Sequence, residues 1–162
     1  MSVTATISSV CTIAETLANN TDSAPAATRV VTHSSFNESA SLSAGTTPPA
    51  TTCACFVKAL AAGGATVDLT GLTGTNGVSV NGTGLKVQYL RVKNLGANTL
   101  TVDCGDANGY DLAGATFSFT LAQDQWFEIY GNDATPDIGA VDCEIDLVGT
   151  TTQTSEWTIV MG

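Results

Sequence analysis

The residues of this chain most able to do chemistry are five cysteines, Cys11, Cys53, Cys55, Cys104 and Cys143, and one histidine, His33. A thiol or hydroxyl nucleophile needs a neighbouring base. The only imidazole stands in a stretch of Ala, Ser, Thr and Asn with weak signals of structure, so a catalytic triad is not expected. A structural zinc site takes four ligands, and Cys53-Ala54-Cys55 is followed by no second half-site. The cysteines are therefore expected to be buried small hydrophobes, the common fate of a free thiol. Their odd number leaves at least one unpaired within the chain. Asp and Glu total 15, but no spacing sets two of them across a cleft as sugar hydrolysis requires. No catalytic, cofactor-binding or metal residue is assigned, and the chain is not expected to be an enzyme.

Two loops carry oxygen ligands at short spacing, Gly131-Asn132-Asp133-Ala134-Thr135-Pro136-Asp137 and Asp106-Ala107-Asn108-Gly109. Calcium takes such ligands, yet Asn, Asp, Gly and Pro are also what turns demand, and neither loop has the helix-flanked pattern of a dedicated calcium loop. The segment GTNGVSVNGTG follows no strand into a helix, so it reads as a turn-rich loop and not as a phosphate cradle. Trp126, Tyr130 and Tyr110 would suit a sugar-stacking platform. Aromatic residues at alternating strand positions more often form core or cross-strand pairs.

The elements that would position these residues are strands. Thr and Val are plentiful while Glu, Lys, Arg, Gln and Met are scarce, a balance that favours a pleated surface over a helix. Ser2 to Ile13 alternates as a first strand, with Val3, Ala5 and Ile7 on one face. The segment to Thr52 reads as an extended arm with short strands at Arg29–His33 and Ser39–Ser43, and Pro25, Pro48 and Pro49 suit a strap on a neighbouring subunit or a surface loop. Cys53–Ala62 is the one stretch with helical promise, and its Cys, Phe and Val favour strand. Leu85–Lys93 changes phase between Tyr89 and Leu90, which implies a bulge or a crossing between sheets. Gly96-Ala97-Asn98 suggests a hairpin to Thr99–Cys104, and Ala122–Asp124 a second hairpin between Phe117–Leu121 and Trp126–Tyr130. Val141, Cys143, Ile145 and Leu147 share one face of another strand, and Glu156–Met161 closes the chain. The expected fold is all-β, an antiparallel β-sandwich, jelly-roll-like, of roughly eight to ten strands. It is one domain overall, with residues 1–52 as strand and arm and 53–162 as core.

Charged residues are 12% of the chain, about half the ordinary share of roughly 25%, so a charge-poor surface rich in Thr and Ala is cheap to desolvate against a neighbour. A homo-oligomer or many-copy lattice is expected. A net charge of −10 disfavours nucleic acid and anionic membrane as partners. The opening MSVTATISSVCTIAETL has neither a basic start nor a continuous apolar run, so it does not read as a signal peptide or membrane anchor. Lys86, Arg91 and Lys93 fall on one strand and Asp142, Glu144 and Asp146 on the outward face of another. These six residues are a candidate subunit contact, against the alternative of two solvated faces.

At GTNGVSVNGTGLKVQYLRVKN, NGYDLAG, YGNDATPDIG and IVMG the sequence resembles small proteins encoded among the virion genes of tailed bacteriophages and their integrated relatives. The similarity covers most of residues 53–162 and touches THSSFNES and TTPP in the arm. The resemblance implies a virion structural protein, a capsid decoration or cement protein or a tail or fibre component, assembled in the host cytoplasm with other virion proteins and with no cofactor. A carbohydrate-binding module or adhesin that presents a glycan or calcium site on the loops of the same sandwich is the alternative, and a glycan-cleaving enzyme a distant third.

Overall fold

A computed structural model describes residues 2–17, 29–33, 36–131 and 134–162. These residues form fourteen strands and no helix. They fall into two compact units, Met1–Ala5 with Leu42–Gly162, and Thr6–Ser41. The strand count exceeds the eight to ten expected because three two-stranded ribbons accompany two four-stranded sheets.

The larger unit holds eight main strands: β5 (Thr52–Ala59), β6 (Gly64–Asp68), β9 (Val87–Asn94), β10 (Leu100–Cys104), β11 (Phe117–Leu121), β12 (Trp126–Tyr130), β13 (Glu144–Val148) and β14 (Thr154–Met161). The first sheet has the order β12-β9-β14-β5 and the second β11-β10-β13-β6. All six ladders are antiparallel. A small ribbon, β7 (Leu72–Thr73) with β8 (Ser79–Val80), is closed by the turn through Gly74 and Gly77. The turn-rich reading of GTNGVSVNGTG matches it.

One apolar face per strand makes the core. Leu90, Val92, Trp157 and Ile159 of the first sheet are buried in one cluster with Val67, Leu100, Val102, Ile145 and Leu147 of the second. Trp157 stacks on Phe56 across the β14–β5 ladder, with ring planes 3° apart. Phe119 and Phe127, from different sheets, have centroids 4.3 Å apart, and Phe117 completes an aromatic cluster at the β11–β12 edge. The phase change read in Leu85–Lys93 is a bulge: Val160 pairs with Tyr89 but Met161 with Val87, which leaves Gln88 as the extra residue.

Both expected hairpins are corrected. β9 and β10 lie in different sheets, and so do β11 and β12; the true partners are β9 with β12 and β10 with β11. Each short turn is a corner between layers. Alternation reports that a strand has one buried face and is silent on whether its sequence neighbour lies beside it or across the core. Val141, expected inward, is 63% exposed, since β13 begins only at Glu144.

Asn94 fixes these corners. Its side chain is fully buried; Nδ2 donates to the carbonyls of Asn98 (2.7 Å) and Leu121 (2.9 Å). Oδ1 accepts from Gly96 N (2.9 Å) and Gln153 Nε2 (3.0 Å). Gln153, also buried, donates to Asn98 O and accepts from Thr150 N. Gly96 and Gly149 make room for it, since a Cβ at Gly149 would lie 2.6 Å from Gln153 Oε1 and one at Gly96 would strike Gln153 Cγ.

The smaller unit contains most of β1 (Thr4–Cys11) and β4 (Phe36–Ser43), and all of β2 (Ala14–Leu17) and β3 (Arg29–Thr32). β1 pairs with β4 and β2 with β3. No described side chain from Thr6 to Ser41 is buried. Leu42–Thr52, read from the sequence as arm, belongs to the larger unit, where Leu42 and Ala50 are buried. Pro25 lies outside the described residues.

The Asn94 network generates a stability prediction. Asn94→Leu keeps the volume and strands two carbonyls, one N–H and the Gln153 amide in a buried corner. At roughly 1–3 kcal/mol for each buried unsatisfied group, the variant is expected to lose at least about 3 kcal/mol in urea unfolding; a loss under about 1 kcal/mol would show that the corner does not depend on this side chain.

Candidate interaction surfaces

The outward residues of the first sheet form cross-strand rows. Trp126, Lys93, Glu156 and Val57 make one row, Glu128, Arg91, Thr158 and Cys55 the next, and Tyr130, Tyr89, Val160 and Cys53 the third. Trp126 is 59% and Tyr130 47% exposed. Arg91 binds Glu156 at 3.1 Å, and the Tyr89 hydroxyl donates to Glu128 at 3.3 Å. Burial first, then the Glu128 charge, pushes the Tyr89 phenol up. Of the three aromatics weighed as a platform, Tyr110 takes the core place instead: it is fully buried, accepts from Val87 N and donates to Pro136 O at 2.8 Å. Its place is structural, tying the loop before β13 to the start of β9.

The outward face of the second sheet is acidic. Asp103 stands directly opposite Asp146, and Glu144 opposite Asp68. None of its four strands carries Lys or Arg. Thr66 donates to Asp146 at 2.6 Å. The Thr70 hydroxyl, at 2.6 Å, holds the Asp68 carboxyl below its ordinary value.

The structure thus places the six contact residues on different surfaces. Arg91 and Lys93 lie on the first sheet, Glu144 and Asp146 on the second, and Lys86 and Asp142 in the segments preceding β9 and β13. Each of the three cations has an acidic neighbour in its own chain: Lys86 with Asp137 at 3.7 Å, Arg91 with Glu156, and Lys93 with Asp124 at 3.6 Å. The sequence reading missed Asp68 and Asp103 as members of the acidic face; their alternation with Val67 and with Val102 and Cys104 was the available signal.

The cysteines divide also. Cys104 and Cys143 are buried, as expected, but Cys11 and Cys55 are exposed and Cys53 is half-buried. Burial pushes the Cys104 thiol up to about 12, aided by the Asp103 charge. Cys53 and Cys55 stand on the outward face of an edge strand, which the core does not cover. His33 Nε2 lies 3.3 Å from Glu15 Oε2 on the ribbon, both side chains about half exposed.

Asp106–Gly109 is a turn in which Asn108 O accepts from both Cys143 N and Glu144 N. In the other proposed oxygen-ligand loop, Asn132 and Asp133 lie outside the described residues. Among the described residues no three His, Cys, Asp or Glu side chains gather as a metal site.

The fold and these surfaces define an antiparallel β-sandwich protein. Comparison with protein-family models, with curated proteins and with solved structures returns no match.

Like charges directly opposite on a sheet are destabilising, and opposite-charge pairs contribute roughly 0.2–1 kcal/mol. Asp103→Lys is therefore expected to stabilise the fold by about 0.5 kcal/mol at low salt, with the gain shrinking in 1 M salt as screening shortens. A thermal melt that is unchanged or lowered at low salt would show that the facing carboxylates do not repel.

Proposed function

We propose that the protein is a virion structural protein, a many-copy capsid decoration or cement component that acts through protein–protein contacts and not through catalysis. The observation that carries this reading is the outer face of the first sheet, where Trp126, Tyr130, Tyr89 and Arg91 share one partly exposed surface of the β12–β9 ladder. Aromatic residues and arginine are the side chains that dominate protein interfaces. The resemblance of residues 53–162 to small bacteriophage virion proteins gives that surface its partners: further copies of the chain and other virion proteins.

The fold reading is a jelly roll. Counted in chain order, the eight sandwich strands make one sheet of the sixth, third, eighth and first, and another of the fifth, fourth, seventh and second. That order comes from folding a long antiparallel hairpin over itself, the arrangement of two Greek keys used by many capsid and lectin domains.

Trp126 and Tyr130 also favour a second reading, a glycan-binding module or adhesin. They are four residues apart on one strand, so their backbone positions are spaced by roughly 13 Å, with Glu128 between them as a polar group.

Particle fractionation followed by mass spectrometry tests the first reading; the chain is expected to co-purify with intact particles at many copies each. Trp126→Ala is expected to reduce its particle occupancy at least about tenfold, the effect of an interface residue worth 1.4 kcal/mol or more. Absence from particles, with binding on a glycan array in the presence or absence of calcium that Trp126→Ala abolishes, would replace the first reading with the second.

A further inference from the structure

The two side edges of the sandwich are built differently. Phe117, Phe119 and Phe127 fill the β11–β12 edge. Two grooves lie along β5, the smaller of them lined also by β6. One, of about 500 Å³, is lined by Val3, Thr52, Cys53, Asn76, Val78 and Asn81. The other, of about 270 Å³, is lined by Val57, Lys58, Thr66, Asp68 and Leu72.

Strand β5 runs beside both grooves and, among the described residues, has β14 as its only ladder partner. Leu60 N donates to Gln153 O, which continues the β5–β14 ladder and fixes its phase. Thr52, Ala54, Phe56 and Lys58 therefore bond β14, while Cys53, Cys55, Val57 and Ala59 turn their N–H and C=O groups to the free edge. β5 is eight residues long against five for each of the other three edge strands. It has no proline and one charge, Lys58. Edges are ordinarily blunted by short length, charge, proline or bulges; β5 is a long, nearly neutral template.

The ribbon presents the complementary problem. Thr6–Ser41 buries none of its described side chains, and Val10, Ile13, Val30 and Val31 are all at least 40% exposed. An isolated two-stranded ribbon is marginally stable in water. β4, like β5, is eight residues long, and among the described residues β1 is its only ladder partner. Glu38 is its one charge, opposite in sign to that of β5. Among the described residues neither Glu38 nor Lys58 has an ion-pair partner, whereas Lys86, Arg91, Lys93 and His33 each have one.

We propose that β5 is the acceptor for the ribbon of a second copy of this chain, with β4 of one copy added antiparallel to β5 of the next so that Glu38 meets Lys58. Main-chain hydrogen bonds supply the affinity, as in other strand-addition complexes, and the single charge pair sets the register. Every copy then both donates and accepts. The contact is heterologous and closes into a ring or continues as an array, according to the rotation between neighbours. This inference rests on the many-copy reading above and names the contact that makes the copies cohere.

The test uses the full-length purified protein. Sedimentation velocity over a wide concentration range is expected to show reversible self-association, with protease sites in Thr6–Ser41 protected as assembly proceeds. Val57→Pro removes an N–H that has no partner among the described residues, at the kind of edge position where proline is tolerated. It is expected to weaken association about tenfold or more while Val57→Thr does not, and the thermal melt of dilute protein checks that the sandwich persists. Glu38→Lys and Lys58→Glu are each expected to weaken association several-fold, and the double variant to restore it. Val57→Pro assembling like the wild type, or a double variant no better than either single one, would overturn the β5 contact and leave the virion reading standing. Ribbon protection that is independent of concentration, or that appears only on particles, would also overturn it, by placing the acceptor within the same chain or on another virion protein. Absence of the protein from particles, tested separately, bears on the virion reading alone.

Discussion

The sandwich turns on the buried amide pair Asn94 and Gln153. Four hydrogen bonds from the Asn94 side chain tie the end of β9 to the β9–β10 corner, to the end of β11 and to the loop before β14. The backbone of the same residue accepts from Asp124 N and donates to Gln125 O, which seats the β11–β12 corner on the first. Two corners that carry the chain between sheets are thereby held against one another at one end of the molecule. A buried amide is costly when half satisfied and specifying when fully satisfied, and Asn94 uses both its donors and both its acceptor positions. The two glycines beside Gln153 are part of the same constraint, because any side chain there would displace the amide.

That constraint also explains where the sequence was legible. Alternation located β9 to β12 and β14 closely, since each has an inward face built on Leu, Val, Ile, Phe or Trp, whereas the strand read from Val141 begins only at Glu144. The bulge in β9 was legible from the phase change alone. Pairing was not. Gly96-Ala97-Asn98 has the composition of a hairpin turn, and only the side chain of Asn94, two residues earlier, spends on the corner the bonds that a hairpin would have given to a ladder. Tyr110 takes the core place that was favoured over a platform: an aromatic with a hydroxyl suits either, and what decides is whether a carbonyl such as that of Pro136 waits for it.

Charge followed a similar rule. Of the basic and acidic strand faces read from the sequence, Arg91 with Lys93 and Glu144 with Asp146 lie on the two outer surfaces of one sandwich, while Lys86 and Asp142 lie outside both strands. Arg91 and Lys93 are already engaged with Glu156 and Asp124. The acidic face is more extensive than β13 alone suggests, because the β10 and β6 ladders bring Asp103 and Asp68 into line with it. Neighbouring strands in space set the electrostatics of a sheet, and they are distant in sequence.

The seat of β14 has a consequence for how the fold forms. It lies between β5 and β9, and Ser155 contacts a residue of β5 that is 97 positions earlier in the chain. Contacts this distant are closed late, because the entropy of the intervening loop is lost before they repay it. Until β14 arrives, the first sheet is two separate pieces, with β5 paired to nothing and β9 open on one side. The nascent chain therefore passes through a stage richer in bare strand edges than the finished sandwich, and at that stage its neighbours in the cell are most able to capture it.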